Sequence, residues 1–186
     1  KKVLMVCAMD RFGMAEAFEK MGSCMTYGDL IFALGIAIPI RTLKQLHILA
    51  TVLMPVISRM PFHIIYPTGK QQEININKYE RYYNEADIIA GDYIYIKKYL
   101  PNNIKGKIIV TNTVTLEDVQ MLKERGCRML VTSTPELNGR SFGTNVMEAV
   151  LVGLLGKRPE EITVNLYEEI LDLSGFKHRV EILNDF

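Results

Sequence analysis

Four short apolar runs constrain what this chain can fold into more than any other feature. They read KVLMVCA at 2–8, DIIA at 87–90, KIIVT at 107–111 and RMLVT at 128–132. Stretches with helical periodicity or helix caps separate them. Short, wholly apolar strands that alternate with helices are typical of a parallel sheet covered on both faces. The sequence therefore predicts an α/β fold with a Rossmann-like, doubly wound and mostly parallel sheet.

The remaining elements follow from periodicity, caps and breakers. Further strands are expected at 24–27, at 63–66 before a turn at 67–70, and as a final edge strand at 179–183. Helices are expected at 13–21, at 75–85 and at 146–155, the last with Thr144 or Asn145 as its cap. Three more are expected after Thr42, after Thr115 and after Thr163. Pro55 is expected to bend or end the helix after Thr42, and Thr115 to form a capping box with Asp118.

The segment 30–72 is too long for a single crossover helix, so we expect one domain over 1–186 with a helical insertion there. Its apolar stretches 30–40 and 48–56 are far shorter than the roughly 20 residues that span a bilayer. They carry more apolar side chains than one surface helix buries on its own sheet. We therefore expect a homodimer, or docking onto a partner domain, through the insertion.

Composition narrows the function classes. With 22 Lys and Arg against 21 Asp and Glu, the net charge is +1, and the basic excess of a phosphate-tracking nucleic-acid binder is missing. Cys7, Cys24 and Cys127 lie in apolar runs and are expected to be reduced core residues of a cytoplasmic protein. No cysteine or histidine pair has metal-ligand spacing, so no metal site is expected.

The loop after the first strand is the first candidate ligand site, because ligands of such sheets bind beyond the carboxyl ends of the strands. Its candidate residues are Ala8, Met9, Asp10, Arg11, Phe12 and Gly13. Aligning Gly13 with the third glycine of the G-x-G-x-x-G dinucleotide fingerprint places Ala8 first and Asp10 second. Asp10 would repel a pyrophosphate unless Arg11 neutralises it or itself holds a phosphate. The alternative is a first turn that binds no dinucleotide.

Asp29 strengthens the dinucleotide hypothesis. It ends the second strand 16 residues after Gly13, where an acidic residue accepts hydrogen bonds from the adenine ribose of NAD. Its charge would disfavour the 2′-phosphate of NADP, so we expect Asp29 to select NAD. The alternative is that Asp29 caps the next helix.

Polar side chains follow the later strands as well. Cofactor contacts are expected from Thr111, Asn112 and Thr113, and substrate or anion contacts from Lys70, Asn138, Arg140, Ser141 and Asn145. Hydroxyl and amide side chains at one edge of a sheet suit a ligand that bears phosphate or sugar. The alternatives are turn and cap residues, a surface lysine, and Arg140 in a structural ion pair.

Several stretches together resemble a known family. They are MDRFGMAEA, YGDLIFALG, IPIRTL, ADIIAGD, TNTVT and TPELNGRSFGTNVMEAVLVGLLGKRPEE. They are similar to bacterial proteins of the quinate/shikimate 5-dehydrogenase-like family, over essentially the whole chain. The resemblance implies the C-terminal nucleotide-binding domain of an NAD-dependent oxidoreductase that acts on a hydroxyl-bearing small molecule such as quinate or shikimate.

The same resemblance implies that the catalytic Lys and Asp lie in an N-terminal substrate domain, which we expect to precede Lys1, so no residue here inherits those roles. The chain departs from the shikimate pattern at Asp10, and it lacks the Arg after the second strand that would bind NADP. Two alternatives stay open: a non-redox enzyme such as a transferase or lyase, and a non-enzymatic ligand-sensing module.

Overall fold

The structure is a computed structural model that describes residues 1–61, 75–76 and 78–186; the expected strand 63–66, the turn 67–70 and Lys70 lie outside the described residues. Strands β1 to β8 are Lys2–Met5, Cys24–Tyr27, Ile88–Ala90, Ile108–Thr111, Met129–Thr132, Glu136–Leu137, Arg140–Ser141 and Arg179–Ile182. Helices α1 to α7 are Phe12–Lys20, Leu43–Ile57, Glu80–Glu85, Tyr93–Tyr99, Leu116–Glu124, Thr144–Leu155 and Val164–Ser174. A π-helical turn occupies Asp29–Ala33, and a 3₁₀ turn occupies Pro159–Glu161.

The central sheet has the strand order β2-β1-β3-β4-β5-β8. Its first five strands are parallel, and β8 pairs antiparallel with β5 at the edge. This architecture confirms the Rossmann-like α/β prediction. The chain leaves β1 toward β2 on one side and later adds β3 on the other side, so the winding reverses between β1 and β3. In open α/β sheets a crevice forms at such a switch point.

The apolar runs form strands because both faces of the sheet are covered. Val3 and Met5 pack against Phe18 of α1 on one face. Leu4 packs on the other face in a cluster that contains Ile96 of α4. A fully buried aliphatic side chain stabilises the fold by roughly 1.5–3 kcal/mol, which is why continuous rather than alternating apolar sequence marks these strands.

Local cap chemistry sets three of the seven helix starts in the described part of the chain as predicted. Thr42, Thr115 and Thr163 each accept a hydrogen bond from the backbone N–H three residues later, and Thr115 forms the capping box with Asp118. The start of α6 differs from the prediction, because Gly143 is its cap and Thr144 its first residue.

Pro55 does not end α2. It lies inside the helix, which continues to Ile57. Because Pro55 falls in the last turn, its missing N–H removes a single helical hydrogen bond.

Two elements were not expected. Tyr93–Tyr99 forms α4, although the alternation Y-I-Y-I resembles a strand pattern; Asp92 caps it by accepting from the Ile94 N–H at 2.9 Å. The loop 132–145 contains the hairpin β6–β7, whose two-residue turn is Asn138–Gly139 with both φ angles positive. Asn-Gly is the typical sequence of such a turn.

The described part of the insertion contains the π-helical turn, a segment whose Ile40 bridges Tyr27 at the sheet edge, and α2. No helix in the described ranges is long and apolar enough to cross a membrane. The three cysteines are free thiols; Cys7 and Cys127 are buried as expected, whereas Cys24 is exposed and does not belong to the core.

Candidate functional site

A cleft of about 410 Å³ opens at the carboxyl edge of the sheet. We call it the switch-point cleft, because it lies where the loops after β1 and β3 diverge. Its walls are Asp10, Arg11, Asp92, Asn112, Thr113 and residues 143–146 at the start of α6. The structure thus brings together five of the predicted residues: Asp10, Arg11, Asn112, Thr113 and Asn145.

Arg11 links the loops that form this cleft. Its Nη2 donates to Asp92 Oδ2 at 3.0 Å, and its Nη1 donates to the Asp10 carbonyl oxygen at 3.0 Å. Its Nη1 also lies 3.8 Å from Asp10 Oδ2, so Arg11 partly neutralises Asp10, one of the alternatives that the sequence left open. Asn112 Nδ2 donates to Asp92 Oδ2 at 3.4 Å. One guanidinium and one amide therefore tie the strand ends of β1, β3 and β4 together.

Asp10 lies at the mouth of the cleft with 38% of its side chain exposed. Partial burial raises the pKa of the Asp10 carboxyl, the Arg11 guanidinium opposes that shift, and the Asp92 charge adds to it. Asp10 is therefore a partly desolvated hydrogen-bond acceptor beside a cation.

Asp29 is fully buried, which corrects its predicted role. Its Oδ1 accepts from the Ala8 N–H and the Met9 N–H, each at 2.9 Å, and from the Cys7 thiol at 3.6 Å. Its Oδ2 has no hydrogen-bond partner among the described residues. A carboxylate in this position is not accessible to ribose hydroxyls, so the selection of NAD by Asp29 loses its physical basis.

Burial also raises the pKa of Asp29, while the two amide hydrogen bonds oppose that shift. In dinucleotide sites, the amides of the first loop face the phosphates. Here the amides of Ala8 and Met9 already bind an anion that belongs to the protein. The loop after β1 therefore has fewer free N–H groups for a phosphate than its sequence suggests.

The other residues of the first loop have structural surroundings. The Arg11 N–H donates to the Ala8 carbonyl at 3.0 Å and closes a turn. The Phe12 ring packs 4.5 Å from the His47 ring. Gly13 is exposed, and a Cβ added there would meet nothing within 4 Å. The third glycine of a dinucleotide fingerprint permits close packing of helix and strand, and Gly13 makes no such close contact.

Several candidates of the later loops do not line the cleft. Thr111 is buried and donates to the Gly91 carbonyl at 2.8 Å. Ser141 is buried, and its Oγ lies 3.1 Å from Thr132 Oγ1. Asn138 is the exposed first residue of the hairpin turn, and the exposed Arg140 guanidinium lies 5.3 Å from the Phe142 ring centre. The Thr111 and Ser141 hydroxyls therefore hold the loops in shape, whereas Asn138 and Arg140 are exposed outside the cleft lining.

Gly143, Thr144, Val146 and Asp92 line this cleft but are absent from the predicted site residues, and Asp92 is the charged one among them. A signal was available, because Gly91–Asp92 directly follows the buried strand β3, just as Gly28–Asp29 follows β2. Within the described ranges, no group of three or more His, Cys, Asp or Glu residues could hold a metal ion.

The comparisons with known proteins give a family and no named relative. Neither a curated protein nor a solved structure matches the chain. Residues 1–183 match the family model described as Domain of unknown function (DUF8754), and the chain belongs to that family.

Proposed function

We propose that the switch-point cleft binds a small hydroxyl-bearing molecule. The observation that carries the proposal is the set of side chains that converge there: the Asp10 carboxylate, the Asn112 and Asn145 amides and the Thr113 hydroxyl. Its volume of about 410 Å³ suits one small ligand. Carboxylates and amides placed around a guanidinium satisfy hydroxyl groups well, since a carboxylate accepts hydrogen bonds and an amide can both accept and donate them.

The reaction we favour is that of the nucleotide-binding domain of an NAD-dependent oxidoreductase that acts on a hydroxyl-bearing small molecule such as quinate or shikimate. The doubly wound sheet and the resemblance of the sequence support it. NAD, when bound, would supply the acceptor for a hydride from the carbon that bears the hydroxyl. Arg11 and the first N–H groups of α6 would hold its phosphates, because a guanidinium and a helix N-terminus both attract anions.

The residues fit a dinucleotide on only one side of the cleft. On the β1 side, the Ala8 and Met9 amides bind Asp29, and the Asp10 carboxylate is close by. An unpaired carboxylate about 4 Å from a phosphate charge costs roughly 4 kcal/mol at an effective dielectric constant of 20. Arg11 reduces that cost, so the α6 side remains the place for phosphates.

The Ala8 and Met9 N–H groups already donate to Asp29, which favours a second candidate function. This candidate is a non-redox α/β enzyme, such as a transferase or lyase, or a ligand-sensing module, and its site is the same cleft. Neither needs a pyrophosphate over the first loop. The two candidates differ in whether the protein binds a nicotinamide dinucleotide.

Fluorescence titration with NADH separates them. For the first candidate we expect saturable binding that Asn145→Glu weakens at least ten-fold, because the new carboxylate meets the phosphates at the start of α6. Asn145→Gln is the matched control and should bind within about two-fold of the unmodified protein, a difference of less than 0.5 kcal/mol. Absence of NADH binding, with quinate still shifting the amide signals of Thr113 and Asn145 in NMR spectra, would favour the second candidate.

A further inference from the structure

A second cavity of about 200 Å³ lies beside the switch-point cleft. We call it the apolar cavity; its lining residues are Cys7, Met9, Asp10, Ala33, Met54, Ile57 and Tyr95. They come from the loop after β1, the end of the π-helical turn, the last turns of α2 and the start of α4. Elements from both the sheet domain and the insertion therefore build it.

Asp10 lines both cavities, so the polar switch-point cleft and the apolar cavity share a wall at its side chain. On the apolar side, its neighbours are mainly thioether, aliphatic and aromatic groups. On the polar side, its neighbour is Arg11. A molecule that occupies both the switch-point cleft and the apolar cavity must pass the Asp10 carboxylate.

The size and lining of the apolar cavity fit a six-membered ring. Enclosed apolar cavities of roughly 150 Å³ bind benzene in other proteins, and this cavity has comparable room but is open to solvent at Ala33. Met9 and Met54 have flexible, polarisable side chains that adapt to a flat ring, and Tyr95 offers an aromatic wall. Polyhydroxylated groups would find few partners there, because Asp10 is the one charged side chain among the described residues that line this cavity.

We infer that the ligand of the switch-point cleft carries, besides its hydroxyl-bearing part, an apolar ring that occupies the apolar cavity, and that a hydroxyl next to this ring donates a hydrogen bond to Asp10. This inference rests on the proposed ligand site but is independent of the cofactor. An ionised carboxylate only accepts hydrogen bonds, so the group of the ligand that faces Asp10 must be a donor.

Methionine methyl signals test the inference directly. In protein labelled with ¹³C at the methionine methyls, benzyl alcohol should shift the Met9 and Met54 signals through the ring current of its phenyl group and leave Met21, at the far end of α1, unchanged. Toluene lacks the hydroxyl and should bind at least three-fold more weakly. Substitution of each methionine by leucine assigns the signals.

Filling the cavity supplies the matched variants. Ala33 and Ala17 are both exposed alanines, but Ala33 lines the apolar cavity, whereas Ala17 lies on α1 outside it. Ala33→Phe should abolish the shifts caused by benzyl alcohol, and Ala17→Phe should preserve them. Shifts that persist in Ala33→Phe, or that never arise in the unmodified protein, overturn the inference. Equal affinity for toluene overturns the role of Asp10.

Failure of the inference can be told apart from failure of the proposed function. The amide signals of Thr113 and Asn145 report on the polar cleft, and the Met9 and Met54 methyls report on the apolar cavity. Quinate that shifts the two amides, in a protein whose methionine signals ignore benzyl alcohol, supports the proposed function and overturns the inference. The opposite pattern supports the apolar site and removes the proposed function.

Discussion

Asp29 shows that a carboxylate can hold the first loop of a doubly wound sheet from within. It spans the gap between β2 and the loop after β1 through the Ala8 and Met9 amides. Asp29→Ala would leave both donors without their acceptor, so we expect a loss of about 2–4 kcal/mol in the free energy of unfolding. Asp29→Asn keeps an oxygen acceptor and should cost less than about 1 kcal/mol at neutral pH. Urea unfolding of the three proteins measures both differences, and equal losses would contradict the assigned role.

The pH dependence of stability should carry the signature of Asp29. Because burial raises its pKa in the folded state above the unfolded value of about 3.9, the folded protein binds the extra proton. The contribution of Asp29 is therefore largest below the unfolded pKa and falls as the pH rises through the folded pKa. The stability of the unmodified protein relative to Asp29→Asn should decline over that window and then level off. A constant difference from pH 4 to pH 8 would mean that Asp29 does not titrate in this way.

A substitution of Asp10 distinguishes the proposed NAD site from the proposed binding of a ligand hydroxyl. Asp10→Gly removes the carboxylate that a phosphate would meet, so NADH should bind equally or more tightly if it binds at all. The same change removes the acceptor for a ligand hydroxyl, so benzyl alcohol should lose its advantage over toluene. Because Asp10 is 38% exposed, the melting temperature should change little, which thermal unfolding can check. Weaker NADH binding would instead make Asp10 a cofactor contact.

At the scale of elements, the helix caps were predictable and the direction of the Asp29 side chain was not. The caps Thr42, Thr115 and Thr163 depend on a hydroxyl and an amide three residues apart, so the sequence suffices to find them. Asp29 also has the spacing of a ribose ligand, but whether its carboxylate turns outward or toward the loop amides depends on packing between elements that are far apart in sequence. Helix α4 was missed because its alternating Tyr and Ile residues match the period of a strand.

The turn between β3 and α4 depends on Gly91, whose φ of +130° is a conformation that side chains rarely adopt. It places Asp92 in the cleft, and its carbonyl accepts from Thr111. Gly91→Ala should lower the free energy of unfolding by about 1–3 kcal/mol and weaken ligand binding with it. Gly153→Ala is the control: Gly153 lies within α6 in open space, and the change should stabilise the helix by about 0.5–1 kcal/mol. Denaturant unfolding of both variants tests the contrast.

At the scale of the whole molecule, one face of α2 has no partner among the described residues. Ile48, Val52 and Val56 recur every four residues along it and are 58%, 65% and 60% exposed. The opposite side of α2 packs on the sheet through Leu46 and Leu49. Residues 34–38 before the helix expose three more aliphatic side chains. Contiguous apolar patches of this kind mark interfaces in soluble proteins.

We therefore expect the exposed apolar stripe on α2, which consists of Ile48, Val52 and Val56, to be covered by a second copy of the chain or by a partner domain. If the chain forms a homodimer through it, a lysine at its centre, Val52→Lys, would meet the twofold-related apolar side chains and its own counterpart, so the dissociation constant should rise at least ten-fold, or about 1.4 kcal/mol. Val164→Lys is the control, since Val164 is 71% exposed on α7, outside the stripe. Sedimentation equilibrium of the three proteins measures the effect. A monomer at every concentration would exclude the homodimer and leave a partner domain to cover α2, and equal weakening by both lysines would show that the charge acts without the stripe.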